Sequence, residues 1–306
     1  AGTETANWTG AGGDGAWETS ANWDTGIVPS ADTDVIFSSS PRPTVRVATE
    51  LPTIASMFVM GAGVTLSLDP NAALRTSGPV TNRNTTAYSG GSYAFGGELV
   101  VGWLKDWSGD STYATRTRFE DCRADIAGRV YVTGTANNGL DVTNAYVKSA
   151  GYLDANGTRN QTKIGADGVF VSTGDIEISN CWPNDQYPEP LTVDGGTVTN
   201  AGRLLVAKTN AGCVPIRLRN GATWVQTGET QVGINSDSST NSLQVVAGSR
   251  FLSSGNIRLA CGNRVADSFL AVDGNSALEA ANVSVGSAYG AKGCRMTVTG
   301  QSSATV

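Results

Sequence analysis

Four short segments recur in the C-terminal half of this chain at a nearly constant interval. Each starts at a glycine or alanine and continues as an alternating apolar run: GRLLVA from Gly202, GETQVG from Gly228, GNIRLA from Gly255 and ANVSVG from Ala281. Their starts are 26, 27 and 26 residues apart. A constant interval is typical of repeat proteins, in which each repeat buries its apolar side chains only by stacking on the next.

A second register repeats at the same interval. The runs of this register end on glycines that are 27, 26 and 26 residues apart, which are Gly221, Gly248, Gly274 and Gly300. Alternating runs of three to five residues, punctuated by Gly, Asn and Asp, predict short strands. An upstream segment, GDIEIS from Gly174, precedes Gly202 by nearly the same interval and fits the first register.

Stacked repeats would pair each strand with its counterpart in the next coil and bury a continuous core. The first register then predicts an inward column of Val206, Val232, Leu259 and Val285. The second register predicts a column of Val193, Leu218, Val245, Val272 and Val298. We therefore predict an all-β parallel β-helix with about 26 residues per coil. Antiparallel hairpins in a sandwich are the alternative, but a sandwich has no reason to keep a constant interval.

The chain divides into a cap and a solenoid in this interpretation. Residues 1–32 hold Trp8, Trp17 and Trp23 in a glycine-rich setting and predict a cap that covers the open end of the first coil. A surface on which sugars stack is the alternative for these rings. Residues 33–306 form the β-helix, irregular with long loops to about residue 173 and regular from residue 174 onward.

The N-terminal segment also carries a family resemblance. The pattern NW…GDGAWETSANWDTGIVPSADTDVIF, followed by PTIASMFVMGAGVTLSL, resembles the start of repeats in autotransporter-like and other large secreted bacterial β-helix proteins. The specific likeness covers roughly residues 7–70. It implies a right-handed, pectin-lyase-like β-helix and a secreted or cell-surface location. Members are mostly non-enzymatic, so the resemblance carries over no catalytic residues.

Composition excludes several functions. The net charge is −6 and no basic run occurs, which argues against nucleic-acid binding. No apolar segment approaches the roughly 20 residues that cross a bilayer. Histidine is absent, so no Ser-His, Cys-His or His-ligated metal mechanism is available. We expect no cofactor and no metal.

The cysteines predict links between coils. The interval from Cys181 to Cys213 and the interval from Cys261 to Cys294 each equal one repeat plus the same small offset. We predict disulfides Cys181–Cys213 and Cys261–Cys294, which would require an oxidising compartment. Cys122 is left over, either buried or paired between chains.

Two loops could contact a ligand or another subunit. The first lies in residues 103–125 and offers the aromatic residues Trp103, Trp107 and Tyr113 together with Arg116 and Arg118. On a strand, alternate residues share a face, so the two arginines would point the same way. The alternative is that these residues form exposed charge pairs on a surface loop and bind no ligand.

The second loop, NCWPNDQYPEP at 180–190, is made stiff by its prolines. It offers Trp182 and Tyr187, beside Asp185 and Glu189, for contact with a sugar or a neighbouring subunit.

These observations predict a secreted structural or adhesive surface protein that self-associates end to end into a fibre or surface layer. Two alternatives remain open: a carbohydrate-active β-helix enzyme, and an adhesin that binds polysaccharide through Trp107 or Trp182. An enzyme would need an acidic pair with a suitable separation on one outward face. We expect no catalytic residues.

Overall fold

A computed structural model describes residues 4–38, 41–102, 115–134, 138–155, 160–179, 189–208, 214–234, 240–261, 267–286 and 291–306. Short parallel strands follow one another around a rod of about 10 turns, with about 26 residues per turn. One short 3₁₀ helix, Ser20–Asn22, is the single helical element of the described chain. The predicted parallel β-solenoid is confirmed.

The N-terminal coils are short. Met57, Val80 and Leu99 are stacked counterparts on successive coils, and each of these intervals is shorter than the regular repeat of the C-terminal half. The strands of this part are β1 (Glu4–Asn7), β2 (Thr33–Phe37), β3 (Thr44–Val47), β4 (Ser56–Val59), β5 (Val64–Leu68), β6 (Ala73–Thr76), β7 (Val80–Asn82), β8 (Thr86–Ser89), β9 (Ser92–Phe95) and β10 (Leu99–Gly102).

The middle coils contain two long strands that continue around a corner of the rod. The two strands pair in parallel on both sides of that corner. A register irregularity between Ile126 and Arg129 marks that corner in the pair of long strands, β12 and β14. The strands of this part are β11 (Arg116–Glu120), β12 (Arg123–Thr133), β13 (Gly139–Thr143), β14 (Tyr146–Ala155), β15 (Thr162–Ile164), β16 (Val169–Ser172), β17 (Ile176–Ile178), β18 (Leu191–Asp194), β19 (Thr197–Asn200) and β20 (Leu204–Val206).

The C-terminal coils are regular. Leu204, Thr230, Ile257 and Val283 stack in turn, at the same intervals as the repeated segments of the sequence. The strands of this part are β21 (Pro215–Arg219), β22 (Thr223–Gln226), β23 (Thr230–Val232), β24 (Ser242–Val245), β25 (Arg250–Ser253), β26 (Asn256–Leu259), β27 (Phe269–Val272), β28 (Ala277–Glu279), β29 (Asn282–Val285), β30 (Arg295–Val298) and β31 (Ser303–Thr305).

Strand pairing gives the rod three faces. The first face consists of β1, β2, β4, β7, β10, the second halves of β12 and β14, β17, β20, β23, β26 and β29. The second face consists of β3, β5, β8, β11, β13, β15, β18, β21, β24, β27 and β30. The third face consists of β6, β9, the first halves of β12 and β14, β16, β19, β22, β25, β28 and β31. Each coil crosses the three faces in turn.

Both predicted inward columns are confirmed residue by residue. Val206, Val232, Leu259 and Val285 are register partners on the first face. Val193, Leu218, Val245, Val272 and Val298 are register partners on the second face. Because every coil repeats the same inward positions, the core is a stack of apolar columns rather than a single cluster.

The upstream part of the first-face column contains two polar residues that the sequence pattern did not indicate. Asp154 stacks between Val132 and Ile178, is fully buried and accepts a hydrogen bond from Asn160 Nδ2 at 2.7 Å. Asn82 is also buried, and its amide bonds Thr117 at 2.9 Å. Hydrogen bonds of this kind offset the cost of removing polar groups from water.

The three tryptophans of the N-terminal segment are buried at the N-terminal end of the rod. Trp8, Trp17 and Trp23 pack on Phe37, and the Trp8–Trp23 and Trp17–Trp23 ring centroids are 5.1 and 4.8 Å apart with edge contacts. Buried rings offer no surface for sugar stacking. Parallel pairing begins within this segment, since β1 pairs with β2.

The corner between the third and first faces explains the glycines that mark the repeat. A Cβ on Gly228 would lie 2.3 Å from Gly202 O, and one on Gly202 would lie 2.3 Å from Gly174 C. Two residues before Gly228, Gln226 Nε2 donates to Gly228 O, and Ser253 Oγ does the same to Gly255 O. Glycine therefore recurs at this interval because the backbones of successive coils are in contact at the corner and leave no room for a side chain.

We expect Gly228→Ala to lower the free energy of unfolding by about 2–3 kcal/mol, because its methyl group would meet a backbone carbonyl that cannot rotate away. Urea denaturation followed by far-ultraviolet circular dichroism measures this loss. Gly221→Ala is the control: Gly221 has a φ of +76° but open space around it, so strain alone costs about 1 kcal/mol. Equal losses for the two variants would contradict the close-approach explanation.

Candidate functional site

Of the sequence candidates for contact with a ligand or another subunit, the structure describes Arg116 and Arg118. Arg116 and Arg118 lie on β11 of the second face and point outward together, as predicted. The aromatic candidates Trp103, Trp107, Tyr113, Trp182 and Tyr187 lie outside the described residues, as do Cys181 and Cys213.

Most of the two candidate loops, residues 103–114 and 180–188, lies outside the described residues, and the end of the first candidate region forms β11 and the start of β12. The first connects β10 on the first face to β11 on the second face, and the second connects β17 to β18 across the same corner. The strands that follow them, β11 and β18, both belong to the second face. A group of charged side chains lies on the outward side of the second face; we call it the second-face cluster, and it consists of Arg116, Arg118, Glu120, Asp141, Lys163, Glu189, Asp194, Arg217 and Arg219.

Asp141 pairs with both candidate arginines. Its carboxylate forms an ion pair and hydrogen bonds with Arg116, one of them from Nε at 3.2 Å, and Arg118 Nε lies 3.7 Å from Oδ2. Arg116 also donates to Gln161 O at 3.0 Å. The planar arginine fork suits this two-point contact with a carboxylate.

Glu189 and Asp194 hold the other half of the second-face cluster. Glu189 is buried, accepts a hydrogen bond from Thr192 Oγ1 at 2.8 Å and pairs with Arg217. Asp194 lies 3.0 Å from Lys163 Nζ and 3.1 Å from Arg219 Nη2. Sequence analysis missed Asp194 and Lys163, although both occupy outward positions of their strands.

The environment of Asp194 lowers its pKa. Burial works to raise the pKa, but hydrogen bonds from Asn220, Lys163 and Arg219 outweigh it and hold the pKa at about 2, below the ordinary 3.8. The carboxylate therefore stays ionised and bound to its cations across the physiological range. Such a group is suited to holding coils together and unsuited to donating a proton.

Ion pairs between coils recur along the whole rod. Among the described residues, each pair other than Arg123–Asp125 joins neighbouring coils; examples are Arg46–Asp69 at 3.1 Å near the start and Arg258–Glu229 at 2.8 Å near the end. An exposed pair of this kind contributes at most about 1 kcal/mol. These ion pairs link neighbouring coils on the outside of the rod, just as the apolar columns link them on the inside.

An open groove of about 500 Å³ lies at the corner between the third and first faces. Arg75, Asp125 and Lys148 line it, with small residues at its base. Arg75 pairs with Glu50, and Asp125 pairs with Arg123 at 2.8 Å. The acid of this groove is thus engaged by a cation, as are Asp141, Glu189 and Asp194. Within the described ranges, no group of three acidic or cysteine side chains is arranged to hold a metal ion.

The predicted Cys261–Cys294 disulfide is absent from the structure, which corrects that prediction. Cys261 Sγ donates to Arg258 O at 3.5 Å, and Cys294 Sγ donates to Lys292 O at 3.4 Å. Cys261 follows a strand of the first face, whereas Cys294 precedes a strand of the second face in the next coil. The two cysteines lie at opposite ends of the corner connection, so adjacent coils do not bring them into contact.

Cys122 is buried within its own chain. Its Sγ lies 3.5 Å from Tyr88 O, and burial raises the pKa of the thiol to about 12. This placement resolves the two alternatives for Cys122 in favour of burial, since a buried thiol cannot pair between chains without local opening.

The fold defines the class of this protein as a parallel β-solenoid. Comparison with protein-family models, curated proteins and solved structures gives no significant match to the chain. Of the residues that the structure describes, none belongs to a helix long and apolar enough to span a membrane.

We expect Asp194→Asn to reduce the free energy of unfolding by about 1–2 kcal/mol at pH 7. Since the folded pKa of Asp194 is lowered to about 2, its stabilising contribution is complete above about pH 4 and is lost as the pH falls toward 2. Urea midpoints of the variant and the parent should therefore converge near pH 2. Asp125→Asn, which removes a more exposed acid, should change stability by less than about 0.5 kcal/mol. A difference for Asp194→Asn that persists at pH 2 would refute the pKa assignment.

Alkylation of the folded protein at pH 8 should spare Cys122 and modify Cys294. Cys122 is buried with a raised pKa, so little thiolate forms, whereas Cys294 is half-buried. Peptide mass spectrometry after iodoacetamide treatment measures both sites. The control is the same reaction in 6 M guanidinium chloride (roughly sufficient to unfold most domains), where Cys122 should react as well. Rapid labelling of Cys122 in the native protein would contradict its placement.

Proposed function

We propose that this protein is a secreted structural or adhesive surface protein, a stiff rod whose ends join to other copies in a fibre or surface layer, and that it is not an enzyme. The observation that carries the proposal is the state of its outward charges. Three of the four acids of the second-face cluster, Asp141, Glu189 and Asp194, are each bound by arginine or lysine, and the fourth, Glu120, lies exposed at the end of β11. Charge used in this way strengthens contacts between coils rather than serving chemistry.

The assembly part of the proposal concerns the strands β29, β30 and β31. The two inward columns end on Val285 and Val298, each with 41% of its surface exposed. The strands β29, β30 and β31 each pair with one neighbour within the described chain. We propose that strands of a second copy pair with them in the same register.

The extracellular location rests on the resemblance of residues 7–70 to autotransporter-like and other secreted bacterial β-helix proteins. That family also supplies the precedent for a non-catalytic rod. Adhesion and scaffolding both use a long, regular surface, and the regular outward columns of this rod fit either role.

The 306-residue chain should form linear assemblies whose length increases with concentration, visible by sedimentation velocity and negative-stain electron microscopy. The double variant Val285→Lys and Val298→Lys should stay monomeric, because two charges would then face the next layer. Thr297→Lys is the matched control, since it adds a charge to the outward side of the same strand, β30. A parent chain that stays monomeric at the highest attainable concentration would refute assembly, as would equal assembly of the double variant.

A further inference from the structure

Three neighbouring strands of the third face, β16, β19 and β22, present outward side chains that all branch at Cβ and carry no charge. Inward and outward positions alternate along each strand, and the outward side chains are partly exposed. We call these six residues the third-face array; they are Val169, Val171, Thr197, Thr199, Thr223 and Val225.

The third-face array repeats in two directions. Register pairing aligns its members in two columns, one of Val169, Thr197 and Thr223 and the other of Val171, Thr199 and Val225. Neighbouring strands are about 4.8 Å apart, and alternate residues of one strand are roughly 6.7 Å apart. The array is therefore a small lattice with one repeat along the rod and a second repeat across it.

The array takes no part in the ion pairs that link neighbouring coils elsewhere on the rod. Its three strands contain no charged residue. The hydroxyl groups of Thr197, Thr199 and Thr223 form no hydrogen bond with any residue that the structure describes. The array ends at charged residues, with Lys148 in the coil before it and Arg250 in the coil after it. Its hydroxyl groups are therefore available to a ligand.

Buried side chains hold the strands beneath the array in place. Gln226 Oε1 accepts hydrogen bonds from Asn200 Nδ2 and from Trp224 Nε1, both at 3.0 Å. Gln226 Nε2 in turn donates to Gly202 O at 2.6 Å. On the outward side, branching at Cβ restricts each side chain at χ1. The array is therefore ordered before it meets a ligand, which lowers the entropy lost on binding.

We propose that the third-face array binds the surface of ice. Water molecules on a face of an ice crystal repeat at two fixed distances in perpendicular directions. These distances are close to the spacing of neighbouring strands and the spacing of alternate residues in the array. A rigid lattice on the protein can then match several water molecules of the crystal at once.

The chemistry of the array suits this ligand. Threonine hydroxyl groups donate and accept hydrogen bonds, as water does in ice. The methyl groups of valine and threonine lie beside them and bring no competing polar group. A charged side chain would retain a hydration shell that is costly to remove, so a contact with a crystal requires an uncharged surface. The proposal goes beyond the structural role and holds whether or not the rods assemble.

Ice growth in solutions of the 306-residue chain tests the proposal. In a nanolitre osmometer the parent chain should shape ice crystals into facets, and in frozen sucrose solution it should inhibit recrystallisation. Serum albumin at the same concentration is the control and should do neither. Thr199→Lys should abolish both effects, because it places a hydrated charge in the middle row of the array. Thr65→Lys should preserve them: Thr65 is an outward, partly exposed threonine of β5 on the second face.

A gain of activity tests the lattice. Arg250 is the register partner of Thr223 in the next coil, so Arg250→Thr extends the array by one row. It should lower the protein concentration at which recrystallisation is inhibited. Arg258→Thr is the matched control, since Arg258 lies in the same coil on the first face and is similarly exposed. Circular dichroism and urea midpoints confirm that each variant is folded.

A parent chain that neither shapes ice nor inhibits recrystallisation would overturn the proposal. Equal activity of Thr199→Lys and Thr65→Lys would overturn the assignment to the third face. Equal effects of Arg250→Thr and Arg258→Thr would overturn the role of the lattice. None of these results bears on assembly through the ends, which Val285→Lys with Val298→Lys tests separately.

Discussion

Parallel backbone pairing between successive coils is the constraint on which the rest of this structure depends. Each strand pairs with its counterpart one coil away, so every residue lies above a residue in the equivalent position. A slip of one residue would turn the whole inward set outward. Columns of like side chains therefore follow directly from register, and the columns explain both the core and the surface.

The same stacking serves different chemistry on the two sides of the sheet. Inside, it makes continuous apolar columns, and at one corner it brings Gly202 and Gly228 so close that no side chain fits. Outside, it sets acids against bases from neighbouring coils, as between Asp194 and Arg219. In the described chain, these ion pairs provide the links between coils that the sequence assigned to Cys261 and Cys294.

The two ends of the described rod differ in how far their apolar side chains are covered. At the N-terminal end, three tryptophans pack on Phe37 and exclude water from the first coil. At the C-terminal end, Val285 and Val298 remain partly exposed beside strands with one paired edge.

The sequence by itself determined the repeat, both inward columns and the joint orientation of Arg116 and Arg118, because strand alternation and a constant interval are local properties of the chain. It did not determine the upstream register, where the interval between stacked counterparts is short from Val80 to Leu99 and long from Leu99 to Val130. Only the tertiary structure brought Lys163 and Asp194 together, since residues so distant in the chain become neighbours solely through the length of the coil between them. A carboxylate's partner, and hence its pKa and its role, is a property of that register and not of the residues beside it in the chain.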